Sequence, residues 1–270
     1  MSRKKYTIRY LIKNKKIFSI LIMKNLKKHT LDIVNKKWFG TDYGGWFVYL
    51  YSDIQDKQPI NIISAGVGED ISFDVEMSIN FNSNIILVDP TPRAILHFNT
   101  FVKNYKNLEE NDFNEYSYLD KVNLNKFSSK KFVLSPFALE KEDSKEVKFF
   151  EPQDESHVSH SVVNWQKTDS ERFIKVKTVT VKRLMEDYDL QNIDILKLDI
   201  EGSEVNVLNS MFDDHIYPNQ LLIEFDITRT NKLFDIFKFY LIIRRIIKNN
   251  YINIEIDRFP HLLFVRKEII

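Results

Sequence analysis

The sequence contains no cysteine, which excludes a disulfide scaffold, a thiolate zinc site and a cysteine nucleophile, and fits a reducing compartment. Glycine is scarce, with 6 residues in 270. The three-glycine G-x-G-x-x-G loop of dinucleotide-binding folds is incomplete, because Ile71 stands where a third glycine would follow Gly66 and Gly68. Near the start, the apolar run IFSILIM (residues 17–23) falls far short of the roughly 20 residues that span a bilayer. KNLKKH comes after it where a secretory leader would carry small residues for cleavage. Acids are almost missing from residues 1–37, where twelve Lys or Arg stand against Asp32 alone. The net charge of +1 therefore hides +11 on this arm and −10 on the other 233 residues.

The spacing of Ile8, Leu11, Ile12, Ile17, Ile20 and Leu21 predicts an amphipathic helix in the arm. Such a helix either lies on an anionic membrane or nucleic-acid surface, or covers an edge of the domain. An enzyme acting on nucleic acid would need a basic body, and this body is acidic, so no nucleic-acid partner is expected. The expected location is cytoplasmic, with the arm able to touch the inner face of a membrane.

Beyond the arm, residues 38–270 are enough for one large α/β domain. Apolar strand-like runs INIISAG (60–66), NIILVDP (84–90), KFVLSPFAL (131–139), DILKLDI (194–200) and QLLIEFD (220–226) alternate with helix-like stretches. Short, nearly continuous apolar runs separated by helices predict a parallel sheet covered on both faces, hence a doubly wound fold. After a long helix candidate at residues 231–250, YINIEID and HLLFVRK read as an antiparallel hairpin at the sheet edge. Insertions are expected near 106–130 and 140–175, the second reaching over the C-terminal edge of the sheet, where ligands bind in such folds.

The first run ends in Ser64-Ala65-Gly66-Val67-Gly68-Glu69-Asp70. Two glycines let the backbone turn and approach a ligand, and two acids come directly after them. A pyrophosphate would be repelled there, whereas a ligand with a positive centre is tolerated; the same turn also serves as a helix start with Asp70 as cap. Asp89 ends the second run, placed to accept hydrogen bonds from ribose hydroxyls, to cap a helix, or both. Asp199 and Glu201 lie two apart at the fourth run's end and point the same way if the strand persists; Glu224 and Asp226 close the fifth. Clustered carboxylates at strand ends are poor core material. They serve as a base, as hydroxyl ligands or as a metal site. No His and Asp spacing reads as a metal ligand set, so no metal is expected.

In this order the segments SAGVGEDISFD (64–74), VDPTPR (88–93), VKTVTVKRLMEDY (176–188), ILKLDIEGSEVNVL (195–208) and LLIEF (221–225) resemble the FkbM-like family of S-adenosylmethionine-dependent methyltransferases. GTDYGGW (40–46) is similar to the glycine-rich opening strand of part of that family. The resemblance implies a Rossmann-like class I sheet of seven mostly parallel strands with an antiparallel C-terminal hairpin, S-adenosylmethionine as cofactor, and O-methylation of a sugar, glycan or other small hydroxyl. It also implies that Ser64, Gly66, Gly68, Glu69 and Asp70 meet the methionine part of the cofactor. Many members carry Asp where Ser64 stands, so the cofactor's amino group would fall to Glu69 or Asp70. Asp89 would hold the ribose, and Ala138 would line the adenine side. Asp199 and Glu201 would sit near the transferred methyl, with His157 and His160 of the loop segment SHVSHS as rivals for the base. Two other classes are weighed beside this. An oxidoreductase is disfavoured by the missing glycine and by the two acids, and a non-catalytic binding protein would need neither the glycines nor Asp89.

Overall fold

A computed structural model describes residues 26, 31, 35–52, 54, 59–107, 114–120, 122–150, 173–229, 233–256 and 258–270. The strands are β1 (Lys36–Phe39), β2 (Trp46–Tyr49), β3 (Ile60–Ala65), β4 (Ser83–Val88), β5 (Phe132–Ser135), β6 (Ala138–Leu139), β7 (Glu146–Phe150), β8 (Phe173–Val179), β9 (Ile195–Leu198), β10 (Gln220–Glu224), β11 (Tyr251–Glu255) and β12 (His261–Arg266). The helices are α1 (Ser72–Asn80), α2 (Pro92–Asn104), α3 (Val181–Asp187), α4 (Glu204–Asp213) and α5 (Leu233–Lys248).

Seven strands form the main sheet in the order β11-β12-β10-β9-β3-β4-β5. Neighbours from β10 to β5 are parallel, and β12 runs against both β10 and β11. The expected antiparallel C-terminal hairpin is therefore present at the sheet edge, with β12 inserted between β10 and the edge strand β11. Each central strand divides its side chains between two cores, which is why the runs read as unbroken apolar sequence. Ile60 and Ile62 of β3 join the core under α1 and α2, while Ile63 and Ala65 join the core under α3, α4 and α5. Burying that much aliphatic surface at about 25 cal/mol per Å² is the main source of stability.

The third apolar run (131–139) does not stay in one sheet. Pro136 comes after β5, and the chain then crosses to β6, which pairs with β8 in a separate three-stranded sheet β6-β8-β7. GTDYGGW is mostly not strand, because residues 40–45 form the turn of the β1–β2 hairpin, which begins its second strand only at Trp46. Gln220 holds that hairpin to the sheet. Its buried amide accepts from Tyr49 N–H at 2.9 Å and donates to Tyr49 C=O at 3.0 Å. Residues 105–107, 114–119, 124–126 and 129–131 form 3-10 turns, and Tyr116, Leu119 and Phe127 of this region enter the core.

Most of the basic arm lies outside the described residues. Three of its positions are tied to the domain. Leu26 is helical and fully buried, Leu31 N–H donates to Asn253 C=O at 3.1 Å, and Lys36 Nζ lies 2.6 Å from Glu255. The last two contacts lie along the free edge of β11, and covering such an edge blocks pairing with other chains. Among the described residues no helix is long and apolar enough to cross a membrane.

Candidate active site

A cavity of ≈ 460 Å³ opens at the C-terminal ends of β3, β4, β9 and β10, within the usual range for small-ligand sites. The chain leaves β3 toward β4 and β5 on one side, and β9 pairs on the other, so this is the sheet's topological switch point. All six glycines lie in three loops at this end, residues 40–45, 66–68 and 202. Their scarcity elsewhere makes the placement informative.

Gly66 and Gly68 have different tasks. Both have positive φ, +76° and +58°. A Cβ on Gly66 would lie 1.6 Å from the carbonyl oxygen of Asp199, so this glycine lets β3 close against the end of β9. A Cβ on Gly68 would meet nothing within 4 Å, because it faces the open cavity. Asp89 fixes the loop between them. One carboxylate oxygen accepts from Val67 N–H (3.0 Å) and Gly68 N–H (3.1 Å), the other from Thr91 N–H (2.9 Å) and Thr91 Oγ1 (2.7 Å). Two acceptor sites per oxygen are thereby filled. Of the two tasks expected for Asp89, the turn-holding one is visible: its carboxylate clamps the two loops while lining the cavity, and Thr91 beside it caps α2.

The two acids after the glycines are also engaged by the protein. Glu69 forms a two-pronged pair with Arg93 (2.9 and 2.6 Å), which is partly exposed and contributes little stability. Asp70 accepts from Thr41 Oγ1 at 2.6 Å and from Ser72 N–H at 2.9 Å, joining the hairpin turn to the start of α1. Ser64 does not line the cavity. Strand alternation turns its hydroxyl beneath the sheet, fully buried near Asp74, so its expected cofactor contact is withdrawn.

Opposite the glycine loop stand Asp199, Glu201 and Glu224. Asp199 and Glu201 share the cavity for a reason other than strand alternation, because β9 ends at Leu198 and Glu201 sits at φ +53° in a turn. Lys197 is buried and donates to Gly66 C=O at 2.8 Å. Asp199 has its pKa raised well above the ordinary carboxylate range, chiefly by burial; Lys197 pulls it down, and Glu224 and Glu201 push it up. Glu224 Oε2 lies 3.1 Å from His261 Nε2, and the His261 ring stacks on Trp46 with centroids 4.6 Å apart. Tyr43, on the hairpin turn, stands exposed at the rim; partial desolvation first, then the charges of Asp199 and Glu201, raise its phenol pKa. Arg258 lies over Trp38, 4.0 Å from the ring centroid, and donates to Asp42 C=O at 3.3 Å. That pair joins the β11–β12 turn to the hairpin as one wall.

Glu204, behind this cluster, is fully buried and accepts from Gly202 N–H at 2.7 Å. Burial above all, with Asp199 and Glu201 adding to it, moves its pKa from 4.5 to about 8. Between those values the folded form holds a proton that the unfolded chain has lost, so stability falls as pH rises through that window. Glu204→Gln keeps the acceptor oxygen without the titration. The variant is expected to be about 1–3 kcal/mol more stable than wild type near pH 8, with the gain vanishing toward acid pH; urea unfolding at several pH values checks this.

Of the residues singled out in the sequence, Gly66, Gly68, Glu69, Asp70, Asp89, Ala138, Asp199 and Glu201 line one cavity. His157 and His160 lie outside the described residues. Sequence reasoning missed Lys197, Tyr43, Arg258 and His261. Only Lys197 carried a signal, as a lysine inside the otherwise apolar strand ILKL. Among the described residues no group of three or more His, Asp or Glu is arranged to hold a metal ion. A family model described as Methyltransferase FkbM domain matches residues 54–251. No curated protein and no solved structure matches the chain.

Proposed function

The chain belongs to the FkbM methyltransferase domain family, and from that premise we propose that it transfers the methyl group of S-adenosylmethionine to a hydroxyl of a sugar or glycan. The observation that carries the reading is the acid-rich cavity at the switch point, floored by Gly68 and faced by Asp199, Glu201 and Glu224. This cavity fits the cofactor. When bound, S-adenosylmethionine supplies a methyl carbon made electrophilic by a positively charged sulfur, and surrounding carboxylates suit that charge. Its apolar lining from Val88, Ala138, Leu139 and Phe149 suits a flat base. A dinucleotide's pyrophosphate would face the same carboxylates at a cost.

A neutral hydroxyl must lose its proton as the carbon–oxygen bond forms. Asp199 is the group this reading assigns to receive it. Its raised pKa makes it a stronger base than an ordinary carboxylate, and Lys197 favours its charged form. Glu224 and His261 stand behind it as hydrogen-bonded support. Tyr43 also offers a flat ring face beside carboxylates, a pairing that suits a sugar's C–H face and its hydroxyls.

The test is transfer of isotope-labelled methyl to sets of saccharides and amines, with products identified by mass spectrometry. Methyl ethers on saccharides are expected, and transfer to amines alone would overturn the acceptor class. Asp199→Asn is expected to lower turnover by about 10²–10⁴-fold while leaving S-adenosylhomocysteine affinity within a few-fold of wild type. Wild-type turnover should rise with pH through the raised pKa of Asp199, and the variant should lack that limb. An unchanged rate in the variant would remove Asp199 from the role.

A further inference from the structure

The outer face of α5 has a composition that the chemistry of the cavity does not use. Every exposed residue between 234 and 248 is either large and apolar or cationic, namely Phe234, Phe237 and Leu241 with Lys238, Arg244 and Lys248. At 100° per residue these six fall within an arc of roughly 120°. Phe239, Ile242, Ile243 and Ile246 occupy the opposite face and are buried in the core. Phe234 is 66% exposed, and Phe237 and Leu241 are each 47% exposed. The one acid of the helix, Asp235, is half-buried and off this face. An outer helix face is ordinarily polar, and a contiguous apolar stripe marks a surface that something covers.

The charges choose among the candidates. A second copy of the chain would set three cations against the same three cations with no acid between them. A nucleic acid would be attracted by the cations but would gain nothing from Phe234, Phe237 and Leu241. An anionic bilayer satisfies both sets at once, apolar side chains entering the acyl boundary and cations meeting headgroups. Leu26, within the basic segment, is buried in the same core cluster as the inner face of α5.

We propose that the outer face of α5 docks on an anionic lipid surface through Phe234, Phe237 and Leu241, with Lys238, Arg244 and Lys248 on the headgroups. This holds whatever the cavity's chemistry, and its test reads no catalysis. The full chain is sedimented with vesicles of phosphatidylcholine, with and without phosphatidylserine. Binding is expected only to the anionic vesicles, weakening as salt is added. Replacing Phe234, Phe237 and Leu241 together by Ser is expected to lower the affinity more than about tenfold, with melting unchanged because the residues are exposed. A Lys238→Glu, Arg244→Glu, Lys248→Glu variant should lose binding as well. Three results would overturn the proposal. They are no binding to anionic vesicles, full binding in both triple variants (the arm alone then being responsible), and a dimer that the serine variant abolishes.

Discussion

Gly66→Ala is expected to leave little folded protein, whereas Gly68→Ala, two residues away, folds normally. The new methyl at position 66 would lie 1.6 Å from the carbonyl oxygen and 2.5 Å from the carbonyl carbon of Asp199. Both are backbone atoms, and Asp199 N–H already donates to Ala65 C=O at 3.1 Å, so relief requires prying β3 from β9 at the centre of the sheet. A φ of +76° adds strain of its own in any residue with a Cβ. Together these exceed about 4 kcal/mol, a large part of the roughly 5–15 kcal/mol that holds a typical domain. In circular-dichroism melting the variant should lose about 10 °C or more, or fail to give soluble protein. At Gly68 only the positive φ opposes alanine, since nothing lies within 4 Å. Near-native melting of Gly66→Ala would mean the two strand ends are not packed as described.

Asp89→Ala is expected to abolish cofactor binding while costing about 2–4 kcal/mol of stability. Four hydrogen bonds converge on this carboxylate from the glycine loop and from Thr91. Hydrogen bonds to a charged acceptor contribute about 1.5–3 kcal/mol each, but water from the cavity replaces some of them, so the sum is not reached. The larger consequence is geometric: without the clamp, residues 67–68 no longer hold one shape at the cavity floor. A loss of S-adenosylhomocysteine affinity above about 100-fold is expected by calorimetry, in a variant shown folded by denaturant titration. Asp89→Asn should fall between, because one amide end still accepts while the other sets N–H against N–H donors. Wild-type affinity in Asp89→Ala would show that the clamp is dispensable.

Much of this is legible in the sequence because of how the sheet is built. Strands buried on both faces read as plain apolar runs, and each ends in a loop where a rare glycine or an acid stands out. The order of strands is less visible. Nothing local says that β12 inserts beside β10, since that depends on partners such as Leu263 and Leu222 meeting across the sheet. Pro136 does mark where the third run changes sheets, but a change of sheet and a bulge look alike from residue types. In the cavity, Ser64 misleads because its neighbours face the ligand loop while strand alternation turns Ser64 under it. The wall of Trp38, Tyr43, Arg258 and His261 is invisible for another reason. It joins the β1–β2 hairpin to the β11–β12 turn, more than 200 positions apart, as the Arg258 to Asp42 bond shows. That wall also lies outside the matched residues 54–251, so this part of the cavity lining is built by segments beyond the family match.

The most direct test of the central claim is a calorimetric titration of the wild-type chain with S-adenosylhomocysteine, run beside NADH on the same folded sample. Saturable micromolar binding of the first and none of the second is the predicted result, as an acid-lined cavity with two glycines requires. Binding of NADH instead, or of neither, would contradict the assignment of this cavity to a sulfonium cofactor.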